Sequence, residues 1–180
     1  MGGRARIKGP TILCRGGAYF DLADPEGSDI HVEDIAHALS HLCRFTGHAR
    51  QFYSVAEHCV HASHLVPPEF ALEALMHDAA EAYVGDVAAP LKALLPDYRR
   101  IEARVERAIR RRFNLPLGTS AAVKRADLEM LRAEQVLVMS NHDDWGLDHY
   151  VFPPLCVECW PPVRARAAFL DRFRELGGVL

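Results

Sequence analysis

The segment ALMHDAAEAYVGD, residues 74–86, combines the apolar spacing of a buried helix with an unusual set of polar side chains. A helix turns by about 100° per residue. A helix over 69–84 would therefore face the core with small and aliphatic residues: Ala71, Leu75, Ala79 and Ala82. His77, Asp78 and Glu81 fall together on a neighbouring arc. The segment predicts a core helix that turns three ionisable side chains towards one cleft.

The rest of the sequence predicts a single helical domain over residues 1–180. Apolar periodicity predicts five further helices, with prolines between several of them, at 33–43, 52–66, 97–113, 120–141 and 162–176. Residues 12–22, ILCRGGAYFDL, place a Gly-Gly pair between aromatic and aliphatic residues, which is typical of a short hairpin. The predicted fold class is all-α, a helical bundle with a small N-terminal β-hairpin.

Composition excludes several classes of protein. A chain of 180 residues with 49% hydrophobic residues can bury a full core, and a net charge of −3 gives no overall field that attracts nucleic acid or an anionic membrane. No stretch approaches the roughly 18 apolar residues of a membrane span, and the basic N-terminal residues precede no long apolar segment. The five cysteines are an odd number. We expect a reduced, cytoplasmic protein whose partner is a small molecule.

Two other predicted helices place a polar residue on the face that should be buried. On the helix over 52–66, His58 falls among apolar residues and is predicted to point inward. His61 and His64 fall on another arc, together with Ser54 and Glu57, and this arc is predicted to face away from the core. On the helix over 120–141, Asp127 lies opposite the polar face, where an unpaired carboxylate would be costly.

These inward polar residues, His58, His77, Asp78 and Asp127, together predict a metal site. Each residue alone has an ordinary explanation, because a single buried histidine is usually hydrogen-bonded and a single buried aspartate usually pairs or caps a helix. Four independent explanations would have to coincide. Mixed imidazole and carboxylate ligands suit a divalent ion, which would offset the burial of the carboxylates. We expect one such ion: manganese, cobalt, zinc, iron or magnesium.

The order of these motifs resembles that of the HD-domain phosphohydrolases, particularly the 5'-deoxynucleotidase-like branch. The matching motifs are SVAEH (54–58), HDAAE (77–81), GD (85–86) and ADLEML (126–131), within a region from about residue 33 to residue 135. The resemblance implies an HD-domain helical bundle that forms a homo-oligomer. It also implies roles for six residues: His58, His77, Asp78 and Asp127 as metal ligands, Glu81 as a catalytic residue and Asp86 in the active site.

The residue types are themselves suited to hydrolysis of a phosphate ester. A divalent ion lowers the pKa of its bound water towards neutrality and holds a phosphoryl oxygen. Glu81, one turn after His77, could orient that water or take its proton. Asp86 has two interpretations of similar weight: a catalytic residue, or the N-cap of the segment that follows Gly85.

The segment DIAHALSHLCRFTGHARQFYSVAEH, residues 34–58, could supply substrate contacts. Its polar helical face is either solvated or in contact with substrate, and the chain must bring Arg44, His48 and Arg50 back towards the first histidine of the site. Arginine pairs bidentately with phosphate oxygens. The deoxynucleotidase branch has an Arg-Trp pair near this place that contacts sugar and phosphate. The nearest match is Arg44-Phe45, displaced by about one position, so Phe45 is expected to line the sugar and favour deoxynucleotides.

Three other patterns have structural or functional interpretations. His37 and His41 have the spacing of zinc ligands but lack a following glutamate and a third ligand. The single C-x-x-C of Cys156 and Cys159 lacks a second pair, which favours buried thiols over zinc. An arginine stripe on the helix over 97–113 is either solvated surface or a contact for polyphosphate, nucleic acid or an acidic partner: Arg100, Arg104, Arg107 and Arg111.

The predicted function is therefore a metal-dependent phosphohydrolase that removes the 5'-phosphate of deoxynucleoside monophosphates. The first alternative is a deoxynucleoside triphosphate triphosphohydrolase, for example a phage-type enzyme directed at dATP. The second alternative, from a different class, is a helical nucleic-acid-binding module whose metal is structural. Under the first two interpretations the partner is a nucleotide, with no membrane and no nucleic acid.

Overall fold

Helix caps and prolines place most elements close to the positions that the sequence predicts. The computed structural model describes residues 9–180, and the basic stretch at 1–8 lies outside the described residues. Strands β1 (Thr11–Leu13) and β2 (Tyr19–Asp21) form an antiparallel hairpin. The α-helices of the described region are α1 (Val32–His41), α2 (Val55–His64), α3 (Ala71–Leu75), α4 (Glu81–Val84), α5 (Ala89–Ala93), α6 (Pro96–Arg112), α7 (Ala121–Leu137) and α8 (Pro162–Glu175). The prediction of a mostly helical fold with a small N-terminal hairpin is confirmed.

Local chemistry explains where the two helices that lead into the site begin. Ser54 caps α2, because its hydroxyl accepts from the Glu57 N–H at 3.1 Å. Ser120 caps α7 in the same way, accepting from the Val123 N–H at 3.3 Å. Each cap satisfies a backbone donor that has no partner within the helix. The starts of α2 and α7 therefore follow from local sequence.

The predicted continuous helix over 69–84 is wrong, because the chain turns at residues 76–80 between α3 and α4. In a continuous helix the Ala74 carbonyl would accept from the Asp78 N–H. Here that carbonyl accepts from the His77 ring at Nδ1, at 2.7 Å. The backbone instead makes tighter bonds three residues apart, such as Glu81 N–H to the Asp78 carbonyl at 2.9 Å. His77 and Asp78 thus project from a turn.

The prediction that Ser54 and Glu57 face away from the core is also wrong, since both are fully buried. The Glu57 carboxylate accepts backbone N–H bonds from Glu158, Cys159 and Trp160 at 3.1, 3.0 and 2.6 Å. This carboxylate ties the segment before α8 to α2 across more than a hundred residues of sequence. Burial of the charge is tolerated because three donors replace its water.

Helices α1, α2 and α8 pack against one another around the main apolar core. Ile35, Leu39, Val55 and Phe169 are completely buried there. Helix α7 packs on α2, so the inward faces of these two helices meet beside the turn at 76–80. No helix in residues 9–180 is long and apolar enough to cross a membrane. The core therefore fixes the positions of the three segments that carry the candidate ligands, which are α2, the turn at 76–80 and α7.

Candidate metal centre and adjoining cavity

Four side chains from α2, the 76–80 turn and α7 bring ligand-type atoms together. The Nε2 atoms of His58 and His77 are 3.2 Å apart. Asp127 Oδ1 lies 3.2 Å from His58 Nε2 and 3.7 Å from His77 Nε2. Asp78 Oδ2 lies 3.3 Å from His77 Nε2 and 3.7 Å from His58 Nε2. Ligands of one divalent ion are typically separated by about 3 to 3.5 Å, so these groups could hold a metal ion.

The second nitrogen of each histidine fixes the ring for metal binding. His77 Nδ1 must donate to the Ala74 carbonyl, and His58 Nδ1 donates to a Glu134 oxygen at 2.6 Å. Each neutral ring then directs an Nε2 lone pair at the other ring. Two facing lone pairs repel unless a cation lies between them, and a carboxylate or carbonyl behind the ring is the usual partner of a metal-bound histidine. The donor set therefore fits a cation.

The pKa shifts of these groups also indicate a site that favours a cation. Burial and the Arg44 charge lower the pKa of His58, but Glu134 and Asp127 raise it further, so the net pKa lies above its usual value. Burial also lowers the pKa of His77, but Asp78, Cys59 and Asp127 together raise it to well above its usual value. Burial raises the pKa of Asp127, whereas hydrogen bonds from both histidines, which carry a proton on Nε2 when no cation is bound, bring it well below its usual range. The cluster thus stabilises positive charge at its centre.

Glu134, a fully buried residue of α7, was not predicted and supports the whole cluster. One carboxylate oxygen accepts from the His58 ring and from the Tyr53 hydroxyl at 2.9 Å, and the other accepts from Arg44 at 2.9 Å. Burial raises its pKa, but the Arg44 and His58 charges lower it to about 2. Glu134 follows Asp127 by seven residues, which is two helical turns, so the same periodicity could have identified it.

The described residues contain two overlapping groups of possible ligands, each with its atoms within 4.8 Å of one another. One is His58, His77 and Asp127, and the other is Cys59, His77 and Asp78. The buried Cys59 was not predicted, and burial raises the pKa of its thiol to about 11. Neither group includes the pairs His37–His41 or Cys156–Cys159. The prediction of buried thiols at Cys156 and Cys159 is wrong, because Cys156 is exposed and Cys159 is half-buried.

A cavity of about 540 Å³ opens beside the cluster, which is a typical size for a small-molecule site. Six of the predicted site residues line it: Arg44, Phe45, Asp78, Glu81, Asp86 and Asp127. The predicted substrate contacts His48 and Arg50 do not line it and are exposed. The chain turns away after Gly47, and the Arg50 N–H instead bonds to the Val138 carbonyl at 3.3 Å.

The loop after α1 places Arg44 and Phe45 over the cavity. A single antiparallel bridge between Cys43 and Ser54 closes the loop and returns the chain to α2. Phe45 and Thr46 both have left-handed backbone angles, with φ of 54° and 53°. Such angles cost energy in residues with a side chain and cluster at functional sites. Arg44 pairs with Glu134 at 2.9 Å and more loosely with Asp78 at 3.5 Å.

Glu81 and Asp86 are the two acidic residues of the cavity outside the ligand cluster. Glu81 is only 8% exposed, and its Oε2 has no hydrogen-bond partner within residues 9–180. Burial, Asp78 and Asp86 all raise the pKa of Glu81, to well above its usual range. Asp86 is not the N-cap that follows Gly85, because Ala88 occupies the cap position of α5. Asp86 instead faces the cavity, and burial raises its pKa.

Lys92 and Trp145 also line the cavity and were not predicted. Lys92 Nζ pairs with Glu102 Oε1 at 2.6 Å, while Tyr98 donates to the Gly85 carbonyl at 3.0 Å, beside Asp86. The Trp145 ring centre lies 6.5 Å from that of Phe45. Neither residue stands near a site motif in the sequence, so only the tertiary structure brings them in. The cavity is therefore lined by two cationic side chains, Arg44 and Lys92, and by two aromatic side chains, Phe45 and Trp145.

The arginine stripe of α6 is exposed, and two of its four members pair with carboxylates. Arg100 pairs with Asp97, and Arg111 pairs with Glu26 at 2.6 Å. These pairs reduce the positive charge that the stripe presents to a partner.

Comparison with known proteins identifies relatives that match this chain over most of their length. No protein-family model matches it. The chain is 46% identical over 169 residues to YfdR of Escherichia coli strain K12, covering 88% of this chain and 89% of that protein. It is 33% identical over 180 residues to RCAP_rcc00048 of Rhodobacter capsulatus, covering 89% and 92%. Both relatives are described as uncharacterized proteins. The chain therefore belongs to the protein family that includes YfdR.

Proposed function

We propose that the chain is an HD-type, metal-dependent phosphohydrolase that removes the 5'-phosphate of deoxynucleoside monophosphates. One observation carries the proposal: a cluster of two histidines and two aspartates borders a cavity that also holds an unpartnered buried glutamate and two cationic side chains. This combination supplies a metal, a proton carrier and phosphate contacts within one cavity. The family resemblance seen in the sequence motifs supports the same reaction.

The ligand cluster and Glu81 divide the chemistry between them. A divalent ion, when bound by His58, His77, Asp78 and Asp127, would polarise a phosphoryl oxygen and acidify water. Glu81 lines the cavity, its Oε2 has no hydrogen-bond partner within residues 9–180, and its raised pKa favours the protonated form that can give a proton to a leaving group. Asp86 keeps the Glu81 pKa high through its own negative charge.

Arg44 and Lys92 provide the phosphate contacts in this proposal. Arg44 keeps its Nε without a partner in the described residues, so pairing with Glu134 orients the guanidinium without using all its donors. Lys92 is oriented by Glu102 and lies in the wall of the same cavity. Two cations at one cavity match a dianionic phosphate better than one does.

Phe45 and Trp145 form apolar walls for the nucleoside. Their tilted rings could hold a sugar and base between them. A ribose 2'-hydroxyl placed against Phe45 would lose its water without gaining a hydrogen bond. Deoxynucleotides should therefore be hydrolysed faster than matched ribonucleotides.

Lys92 also favours a second candidate, the triphosphohydrolase. Its ion pair with Glu102 places a second cation in the cavity wall besides Arg44, and a polyphosphate could contact both. In that reaction water breaks the ester bond between the 5'-oxygen and the α-phosphorus, so all three phosphates leave together as inorganic triphosphate and the deoxynucleoside is released.

The deciding experiment is a panel of nucleoside mono-, di- and triphosphates in deoxy and ribo form, assayed with manganese, cobalt, zinc, iron and magnesium. Chromatography should show a nucleoside and inorganic phosphate formed from deoxynucleoside monophosphates. Inorganic triphosphate formed from deoxynucleoside triphosphates would replace the first proposal with the second. Equal rates on deoxy and ribo substrates would refute the role given to Phe45. No hydrolysis with any of the metals would refute both.

A further inference from the structure

A second cavity, of about 470 Å³, lies between the hairpin, α1 and α4. The two cavities share no lining residue. The second cavity is lined by Ile12, Leu13, Cys14, Arg15, Asp34, His37, Ala38, Ala82 and Tyr83. Its volume lies within the range of about 300 to 1,000 Å³ that small-molecule sites occupy. The cavity therefore has the size of a separate ligand site.

One buried polar group in the wall of this cavity has no partner. The Tyr83 side chain stacks on Phe20, with ring centres 3.9 Å apart, and the residue is only 7% exposed. Its hydroxyl makes no hydrogen bond within residues 9–180. Tyrosine hydroxyls that lose their water usually find a partner. A ligand with an acceptor oxygen in this cavity would accept a hydrogen bond from the Tyr83 hydroxyl.

Two basic side chains, Arg15 and His37, and one acidic side chain, Asp34, line this cavity. Arg15 is exposed and forms no ion pair within the described part of the chain. Burial lowers the pKa of His37, and the nearby charges of His41, Arg15 and Arg166 lower it further. Asp34 opposes this effect, but its Oδ1 already accepts from the Gly16 N–H at 2.6 Å. A negatively charged group would be attracted to Arg15 and would stabilise the charged form of His37, and a group with two negative charges would do so more than a singly charged group.

We propose that this cavity binds a small phosphate monoester, with the phosphate at Arg15 and His37 and an oxygen accepting from Tyr83. The apolar part of the ligand lies against Ile12, Ala38 and Ala82. Arginine supplies paired donors for phosphate, and a bound dianion would favour the charged form of His37. A nucleoside monophosphate has both parts, the dianionic group and a less polar body.

Helix α4 connects this cavity to the metal centre. It has only four residues, of which Glu81 lines the first cavity while Ala82 and Tyr83 line the second. A ligand that binds Tyr83 therefore contacts the same short helix that positions Glu81, and so can change the position of Glu81 and the turnover. This effect on turnover rests on the proposed function, whereas the binding itself does not.

Binding can be tested on protein stripped of metal with EDTA, so that the result does not depend on catalysis. The probe is deoxythymidine monophosphate, followed by NMR signals of the His37 ring, with inorganic phosphate and succinate as comparison ligands. We expect a saturable shift of the His37 signals, with phosphate giving a weaker shift at the same signals. Arg15→Ala should weaken this binding by about tenfold or more. Tyr83→Phe, which keeps the stacked ring, should weaken it by a smaller factor.

Arg107→Ala is the matched control, because Arg107 is also exposed and forms no ion pair within residues 9–180. Its affinity should equal that of the unchanged protein. The proposal is overturned if the His37 signals do not shift saturably up to about 10 mM nucleotide. It is also overturned if Arg15→Ala binds as well as the unchanged protein, or if succinate binds as tightly as phosphate. Loss of hydrolysis in the substrate panel would leave each of these results unaffected.

Discussion

Replacing Glu134 by glutamine tests whether the metal centre depends on a buried support. The substitution keeps the size of the side chain but removes the charge that faces Arg44 and the His58 ring. Removing one partner of a buried ion pair typically costs about 3–5 kcal/mol, because the other charge stays buried without compensation. The pKa of Glu134 gives a second measure: a shift from 4.5 to about 2 corresponds to about 3 kcal/mol of stabilisation of the charged form.

We therefore expect Glu134→Gln to lower the free energy of unfolding of the metal-free protein by about 3–5 kcal/mol in urea denaturation. Glu129→Gln on the same helix is the control. The Glu129 side chain is itself only 14% exposed, but its one ion-pair contact within residues 9–180 is a loose one with Arg125, at 3.8 Å, and that arginine is mostly exposed. Its replacement should cost less than about 1 kcal/mol.

Metal affinity should fall in the same variant, because Glu134 holds the His58 ring with Nε2 directed at the ion. Loss of such a partner commonly weakens metal binding by about 10- to 100-fold. Titration with a competing chelator measures this. The supporting role of Glu134 would be refuted by two results together. The variant would unfold at nearly the same urea concentration as the unchanged protein, and it would bind metal equally well.

Four further outcomes follow from the same geometry. One divalent ion per chain should be found by elemental analysis, and Asp127→Ala should lose ion and activity together. Glu81→Gln should keep the ion while turnover falls by about a hundredfold; unchanged turnover would exclude Glu81 from proton transfer. Lys92→Ala should raise KM with metal content unchanged, whereas Lys124→Ala, on the exposed face of α7, should leave KM as it is. The pKa of Glu134 is depressed, so its stabilisation is present above pH 4.5 and is lost as pH falls towards 2. The difference in stability between metal-free wild type and Glu134→Gln should shrink over that range, and a constant difference would contradict the assignment.

Helical periodicity was enough to place His58 on the buried face of α2, and it placed Asp127 on the face of α7 that borders the cavity, where 44% of its side chain is exposed rather than buried. Successive residues of a helix turn by a fixed angle, so the apolar stripe identifies the buried face and any polar residue on it. The same rule would have identified Glu134, two turns after Asp127. Capping residues and prolines fixed most helix starts because their effects are local.

Periodicity failed where a side chain competed with the backbone. The apolar stripe over 69–84 continues through the turn, but the His77 ring takes the Ala74 carbonyl and the helix is interrupted. Side chains that bond to nearby backbone groups offer the chain an alternative to helix. The sequence shows the residues involved but not which bond forms.

The remaining features depend on contacts between distant segments. Glu57 looks solvent-facing by its position in α2, yet the backbone of residues 158–160 reaches it and satisfies its charge. Trp145 faces Phe45, from which it is separated by a hundred residues of sequence, and Lys92 lines the cavity while it pairs with Glu102 of α6. The sequence by itself determined which faces of α2 and α7 carry the candidate ligands His58 and Asp127, since that depends on angles along one helix. Only the tertiary structure decided which groups surround them, because those contacts are set by how the helices pack and where the connecting segments return.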